Sequence, residues 1–378
     1  MKVALVCDWL TNVGGAEKVL LEIHRLFPEA PIYTSKYDPE GIDWFKDADI
    51  RTGWLQKFPT KMRRILGPFR QSYFSRLNLA EYDLVISVTG AEAKAVKVPN
   101  GVHISYCHVP TQYYWQMYDD YVKNPGFGIL NPLIRFFFKL LVWPLRRADL
   151  KSAQRPDFFV TISEYAKEQI KRYYDRDAIV INPPVEIEDF KVKKKVQDIK
   201  LENGFDISSA YITTSRQVNW KRIDLAIRAV QMTQRRLVVI GEGPEHKKLV
   251  KIAKGSKLVQ FLPLMDKNEL AKYLSKAKGY LFTSLEPFGI APVEALAAGC
   301  PVVAFGKGGA TGYVKDGKNG ILFEEQNAKS LAEGILRFEK LKFNRAKITK
   351  TADKFSLERF DRELLNFVKK CKKNEKTK

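Results

Sequence analysis

The stretch that decides the fold is EPFGIAPVE, residues 286–294. The apolar run Tyr280–Thr283 precedes it and is typical of a buried strand, whereas Phe288 and Gly289 predict a turn and Pro292 suits the first turn of a helix. The sequence therefore predicts a helix N-terminus at the carboxyl end of a strand. Open α/β sheets bind ligands there, and the free N–H groups of the helix favour anions.

Two carboxylates, Glu286 and Glu294, flank this turn. One carboxylate suits sugar hydroxyls near the anion, and the other suits a ribose. The same nine residues also describe an ordinary strand, turn and helix with two solvated acids. The spacing of the two glutamates alone does not decide between these interpretations.

Two further blocks accompany the first: SRQVNWKRID at residues 215–224 and VIGEGP at residues 239–244. Together, the three blocks resemble glycosyltransferase family 4, whose members are retaining enzymes of the GT-B fold. The resemblance implies an α/β protein of two Rossmann-like, doubly wound domains that face each other across a cleft. Their order and separation match the family, so the resemblance covers most of the chain.

The resemblance also assigns roles to residues in the second half. It places Arg216 and Lys221 at the diphosphate of a nucleotide-sugar donor, Glu286 at the donor hexose and Glu294 at the ribose hydroxyls. The other donor-binding candidates are the backbone around Phe288, Gly289 and Ile290, and the glycines Gly241 and Gly243. Cations suit the diphosphate because negative charge grows there as the sugar leaves. Without the family block, Arg216 and Lys221 would be read as a solvated pair in a basic loop.

In the first half, three candidate site residues follow strands. Gly14 and Gly15 come after the first strand and are expected to face the cleft, although their spacing lacks the dinucleotide-binding fingerprint and a glycine pair is usually a tight turn. His108 lies in a His-x-Pro loop, which in the family faces the donor sugar. A lone histidine is otherwise more often structural.

We expect no metal and no cofactor, with the nucleotide sugar as substrate. The two Asp-x-Asp matches, 47–49 and 175–177, are common by chance and follow no clear strand of the catalytic region. No residue stands out as a covalent nucleophile. We therefore expect same-face attack, in which a donor phosphate oxygen takes the proton of the acceptor.

The 378 residues suffice for two domains. We expect an acceptor-side domain at residues 1–190 and a nucleotide-sugar-binding domain at 191–355. A helix within 356–378 is expected to cross back to the first domain. A basic tail from Lys369 onward is expected to be disordered.

The net charge of +21 implies polyanionic partners. Two segments, 51–80 and 133–147, mix basic and aromatic residues; the first includes Arg63 and Arg64 and contains no acid. Each segment either packs on the core or contacts an anionic membrane surface. No nucleic-acid motif accompanies the charge, so we expect no nucleic-acid partner.

Several features indicate the compartment. Four widely spaced cysteines suggest free thiols in a reducing environment, and Asp8 comes too early for a signal peptide. No apolar run approaches the roughly 20 residues that span a bilayer. We expect a cytoplasmic protein that can lie peripherally on the inner face of the membrane.

The segments 106–110, 143–149 and 182–185 look most like bacterial mannosyltransferases of O-antigen and exopolysaccharide assembly. This suggests transfer of mannose from GDP-mannose to a glycan or polyprenyl-diphosphate-linked acceptor. Ile162 and Gly312 depart from the family pattern and leave the sugar in doubt. The alternatives are another GT-B enzyme, such as a nucleotide-sugar epimerase or a phosphorylase, or a basic nucleic-acid-binding protein.

Overall fold

The computed structural model describes residues 1–60, 62, 66–123, 125, 128–192, 196–201, 204 and 206–375, apart from the side chains of 373–375. The chain divides into two compact units. Unit 1 comprises Met1–Pro184 together with Phe360–Lys378, and unit 2 comprises Val185–Arg359.

Unit 1 is built on a seven-stranded parallel sheet. In chain order its strands are β1 (Val3–Cys7), β2 (Ile32–Thr34), β3 (Ile50–Arg51), β4 (Leu84–Thr89), β5 (Val102–Cys107), β6 (Phe158–Thr161) and β7 (Ala178–Val180). Its first five helices are α1 (Gly15–Leu26), α2 (Gly67–Arg76), α3 (Tyr118–Lys123), α4 (Asn131–Ala153) and α5 (Glu164–Tyr174). The strand order is β3-β2-β1-β4-β5-β6-β7, so the direction of winding reverses between β1 and β4. Every residue of β1, β4 and β5 is buried, as expected for parallel strands covered on both faces.

Unit 2 is built on a six-stranded parallel sheet of order β10-β9-β8-β11-β12-β13. These strands are β8 (Ala210–Thr214), β9 (Arg236–Ile240), β10 (Val259–Leu262), β11 (Gly279–Phe282), β12 (Val302–Phe305) and β13 (Gly320–Phe323). Its helices are α6 (Ile223–Thr233), α7 (His246–Ala253), α8 (Lys267–Lys276), α9 (Ile290–Ala297), α10 (Ala328–Glu339) and α11 (Arg345–Thr351). Here the winding reverses between β8 and β11. The core between α6, α10 and the sheet is aliphatic and aromatic.

The last helix, α12 (Leu357–Glu375), packs with unit 1 from Phe360 onward. The Phe360 ring meets the Tyr106 ring with centroids 6.0 Å apart, and Phe367 meets Phe158 at 5.9 Å. The expectation of a disordered tail from Lys369 is wrong as far as Glu375, because helix continues to that residue. The apolar stripe of the helix extends to the buried Cys371, which explains why it does not end earlier.

The boundary between the units differs from the expected 190/191. It falls after Pro184, since Ile187 and Phe190 form a short 3-10 helix whose apolar side chains are buried in unit 2. The Val185 N–H donates to the Phe355 carbonyl at 2.8 Å, which ties this segment to the end of the same unit. At the other end, unit 2 extends to Arg359 rather than to 355.

The sequence analysis found no apolar run long enough to span a bilayer, but α4 lies in a helical stretch that meets this criterion. Within the described ranges, the helical stretch Gly128–Ala153 has 26 residues and a window of mean hydropathy 1.3, so by length and composition alone it could cross a membrane. Only 6% of that window is buried. The interruption of this run by Arg135 and Lys139 is what hid it from the sequence analysis.

Candidate active site

The predicted residues of the second half gather at one edge of the sheet of unit 2. Parallel strands end at a common edge, and the loops that follow β8, β9 and β11 carry Arg216 and Lys221, Gly241 and Gly243, and Glu286, respectively. The strands β8 and β11 are neighbours at the point where the winding reverses. In open α/β sheets this is the position where ligands bind.

The centre of the site is an ion pair between Lys221 and Glu286. The Lys221 Nζ lies 2.6 Å from the Glu286 Oε1, and the two side chains are 24% and 20% exposed. Two residues at the end of β11 hold the pair: the Thr283 hydroxyl donates to the Lys221 carbonyl at 2.9 Å, and the Ser284 hydroxyl donates to the Glu286 Oε1 at 2.5 Å. A cation and a carboxylate are thus fixed side by side and remain accessible to a ligand.

The turn at 286–289 is fixed by the residues beneath it. Gly289 has a φ of 87°, and a Cβ there would lie 2.7 Å from the Phe282 Cζ and 2.9 Å from the Tyr313 hydroxyl oxygen. That hydroxyl donates to the Phe288 carbonyl at 2.8 Å and to the Gly289 carbonyl at 3.1 Å. Glycine is therefore required here both for its backbone conformation and for space.

The helix α9 begins directly after this turn, at Ile290. Its N-cap residue is Gly289, which supplies no side-chain acceptor to the N–H groups of the first turn. The Pro292 ring lies within that first turn, as the sequence predicts. An anion placed before α9 would meet backbone donors and the positive end of the helix dipole.

The glycines of the loop after β9 have a packing role. A Cβ on Gly241 would lie 2.4 Å from the Ser215 carbonyl oxygen, and one on Gly243 would lie 2.4 Å from the Gln217 carbonyl oxygen. The Gln217 N–H also donates to the Glu242 carbonyl at 2.7 Å. The two loops therefore pack backbone against backbone, which accounts for both glycines. Their contact with a nucleotide stays a prediction.

The other two charged candidates differ in their environment. Arg216 is exposed, and within the described part of the chain its side chain has no ion-pair partner. Glu294 is partly buried in α9. Burial is the main cause that raises the pKa of the Tyr280 phenol, and the negative charges of Glu286 and Glu294 raise it further.

The remaining candidates belong to unit 1. Gly14 precedes α1, which starts at Gly15 after the loop that follows β1. His108 follows β5, and its N–H donates to the Thr89 carbonyl at 2.8 Å. Burial lowers the pKa of His108 to about 4, and its Nε2 has no hydrogen-bond partner among the described residues. The imidazole is neutral near pH 7, and the roles of all three residues stay predictions.

Three residues that position the site were missed by the sequence analysis. Thr283 and Ser284 directly follow β11, so their place at the ligand-binding edge of the sheet was the available signal. Tyr313 comes 24 residues after Gly289, and nothing in the local sequence links the two. At the end of β1 in unit 1, the buried Asp8 carboxylate accepts hydrogen bonds from the Gly90 and Ala93 N–H groups at 2.9 and 2.8 Å and so holds the loop after β4.

The two Asp-x-Asp matches are engaged with neighbouring cations. Asp49 pairs with Arg51 at 2.8 Å, and Lys171 lies 3.0 Å from Asp175 and 3.4 Å from Asp177. Among the residues that the structure describes, no group of three or more His, Cys, Asp or Glu side chains could hold a metal ion.

Known proteins resemble this chain in sequence and in fold. Residues 199–355, which include the whole candidate site of unit 2, match the family model of glycosyl transferases group 1. An uncharacterized glycosyltransferase of Methanocaldococcus jannaschii is 28% identical over 205 residues, covering 53% of this chain and 52% of the relative. The mouse alpha-1,3/1,6-mannosyltransferase ALG2 is 24% identical over 412 aligned positions, covering 95% of this chain and 94% of the relative.

The solved structure of HepE from Anabaena in complex with UDP superposes with a TM-score of 0.69 at 18% sequence identity. The match covers 98% of this chain and 100% of that chain. This protein therefore has the GT-B fold of two parallel-sheet α/β domains, and residues 199–355 of its second domain are similar to glycosyl transferases group 1. The chain spans about half the length or less of three curated relatives: 52% of the Methanocaldococcus jannaschii protein, and 32% and 45% of two others.

Proposed function

We propose that this protein is a retaining glycosyltransferase of family 4 that needs no metal ion. It moves a hexose from a nucleotide-sugar donor to a glycan or polyprenyl-diphosphate-linked acceptor in surface polysaccharide synthesis. The observation that carries the proposal is the accessible Lys221–Glu286 pair, 2.6 Å apart, at the reversal point of the sheet of unit 2.

In the free protein the two side chains neutralise each other. A partly exposed pair of this kind contributes only about 0–1 kcal/mol, so a ligand can separate it at little cost. The Lys221 ammonium would then bind the diphosphate of the donor, and the Glu286 carboxylate would accept hydrogen bonds from its sugar hydroxyls. The N–H groups at the start of α9 and the exposed Arg216 would bind the remaining phosphate oxygens.

Transfer breaks the bond between the anomeric carbon and the β-phosphate oxygen, and forms a bond from the acceptor oxygen on the same face of the sugar. The acceptor proton passes to a phosphate oxygen of the departing nucleoside diphosphate. Since negative charge grows on that diphosphate, Lys221 and Arg216 stabilise the transition state more than the ground state. These fixed cations stabilise the charge on the leaving diphosphate, as a metal ion does in other sugar transferases.

GDP-mannose is the candidate donor. Similarity to the mouse mannosyltransferase over nearly the whole chain supports mannose. The HepE structure holds UDP, so GDP-mannose should be compared with uridine diphosphate sugars as donors.

The test is a donor screen on the purified chain. GDP-mannose, GDP-glucose, UDP-glucose and UDP-N-acetylglucosamine are each incubated with and without a polyprenyl-diphosphate-linked acceptor, and released nucleotide is measured. Acceptor-stimulated release of GDP from GDP-mannose alone supports the full proposal, whereas stimulated release from a uridine donor supports transfer and refutes the donor. Sugar interconversion without acceptor would indicate an epimerase. Sugar 1-phosphate formed from a glycan and inorganic phosphate, with no nucleotide sugar consumed, would indicate a phosphorylase.

A further inference from the structure

The outward side of α4 is apolar where a helix of a water-soluble domain is normally polar. Five large side chains on that side are exposed, and they recur three or four positions apart: Leu133, Phe136, Phe137, Leu140 and Trp143. Phe136 and Leu140 are each 63% exposed, and Ile129 just before the helix is 95% exposed. Contiguous apolar surface of this kind marks an interaction site.

The opposite side of α4 is anchored in the core of unit 1. The Asp149 carboxylate is fully buried and lies 2.6 Å from the Lys94 Nζ, while the Thr111 and Tyr174 hydroxyls donate to it at 2.9 and 2.8 Å. The Trp115 Nε1 donates to the same carboxylate at 2.7 Å. A membrane-spanning orientation would pull this carboxylate away from all four partners, and a buried charge stripped of its partners is strongly unfavourable.

Positive charge borders the apolar side of the helix. Lys139, Arg147 and Lys151 are exposed, and the only acid of α4 is the buried Asp149. Arg147 lies over the Trp143 ring, 3.6 Å from its centroid, so the last aromatic of the apolar side adjoins an exposed cation about one helical turn further on. Aromatic groups beside cations are the composition of helices that lie in the headgroup region of anionic membranes.

We propose that the outward side of α4, from Ile129 to Lys151, is a docking surface for anionic phospholipid, and that the helix lies in the plane of the membrane. A second copy of this chain fits less well, because each copy carries a net charge of +21 and the two sets of cations would be brought together. Docking requires no donor chemistry, so vesicle binding tests it independently of sugar transfer.

This surface is distinct from the other basic, aromatic segment, 51–80. Much of the described part of that segment packs inward: Leu55 and Phe74 are buried, and Arg70 pairs with the buried Glu92 at 2.9 Å. Trp54 and Phe69 are exposed and touch each other, with ring centroids 6.0 Å apart. Arg63 and Arg64, for which the sequence analysis left membrane contact and core packing open, lie outside the described residues.

Three paired variants separate these possibilities. Phe136→Gln with Leu140→Gln removes apolar groups from α4 and keeps good helix formers in exposed positions. Arg147→Gln with Lys151→Gln removes its charge. Trp54→Gln with Phe69→Gln is the matched control, since it removes two exposed aromatics from the same unit. Circular dichroism and thermal unfolding establish that each variant is folded.

Each protein is sedimented with vesicles of phosphatidylcholine, or of phosphatidylcholine and phosphatidylglycerol in equal parts, at low and moderate salt. Wild type is expected to bind the anionic vesicles, and salt is expected to weaken binding. Both α4 variants should lose about tenfold or more in affinity, and the control should lose little, because few contacts beyond apolar insertion and charge hold the protein there. Wild-type protein that ignores the anionic vesicles at low salt overturns the proposal, as does full binding by both folded α4 variants. A self-association of wild type that only the α4 variants abolish would assign the surface to a second copy instead.

Discussion

Replacement of Lys221 by alanine separates catalysis from stability. The Lys221 ammonium, 2.6 Å from the Glu286 carboxylate, is the fixed cation that we assign to the leaving diphosphate. Loss of one such contact lowers the rate by on the order of 10²–10³, which is about 2.7–4 kcal/mol in activation free energy. The same ion pair is partly exposed, so its loss should change the free energy of unfolding by only about 0–1 kcal/mol.

Lys278→Ala is the matched control. Lys278 also pairs with a glutamate, Glu339, and is 34% exposed, but it directly precedes β11 and therefore lies at the opposite edge of the same sheet. We expect Lys278→Ala to keep donor turnover within about twofold of wild type, since no ligand binds at that edge of an open α/β sheet. Its effect on stability should be as large as that of Lys221→Ala or larger.

The assay measures nucleotide release at saturating donor, together with thermal unfolding, for both variants, for Glu286→Gln and for Lys221→Ala combined with Glu286→Gln. Because Lys221 acts on the diphosphate and Glu286 on the sugar, the double variant should lose more activity than either single variant. If Lys221 only positioned Glu286, the double variant would be no worse than Glu286→Gln alone. That result, or near-normal turnover in a folded Lys221→Ala protein, would refute the reasoning.

Three further predictions concern the metal, the histidine and the turn. Turnover should survive EDTA, because cations occupy the place of a metal; loss on chelation that Mg²⁺ or Mn²⁺ restores would contradict this. Burial lowers the pKa of His108 from 6.5 to about 4 on folding. The folded state therefore favours the neutral imidazole, and the stability that this contributes is complete above pH 6.5 and is lost as the pH falls toward 4. Between pH 7 and pH 5, chemical denaturation should therefore show a loss of stability that is about 2 kcal/mol smaller in His108→Gln than in wild type. The loss that remains in the variant includes that of His103, whose pKa burial lowers to about 3. Gly289→Ala should lower the free energy of unfolding by about 1–3 kcal/mol, whereas Gly312→Ala, with open space around it, should be nearly neutral; equal stability of the two variants would remove the steric argument.

The parallel sheets and the turn that precedes α9 were predictable from the sequence. Continuous apolar runs such as Val3–Cys7 predict strands buried on both faces, and the structure buries all five residues. The 286–294 stretch predicted a helix N-terminus after a strand, and α9 begins at Ile290. Local patterns sufficed in these cases because each feature is determined by residues adjacent in sequence.

The features that were missed depend on contacts between residues distant in sequence, or on which side of a helix is buried. The domain boundary was expected after residue 190, but the apolar side chains of Ile187 and Phe190 are buried in unit 2. The Tyr313 hydroxyl reaches the turn from outside the local pattern. In α4, apolar residues around most of the helix could not reveal which side is buried, and the buried Asp149 settles it only through its partners in other elements.

A crystal structure of the protein with the nucleoside diphosphate of its best donor tests the central claim most directly. The account predicts that the diphosphate lies within hydrogen-bond distance of the Lys221 Nζ, the Arg216 guanidinium and the N–H groups at the start of α9. The Lys221 Nζ should then have moved away from Glu286, from which it lies 2.6 Å in the free protein. A diphosphate bound elsewhere, or a nucleotide that leaves the Lys221–Glu286 pair intact, would contradict the assignment of this site.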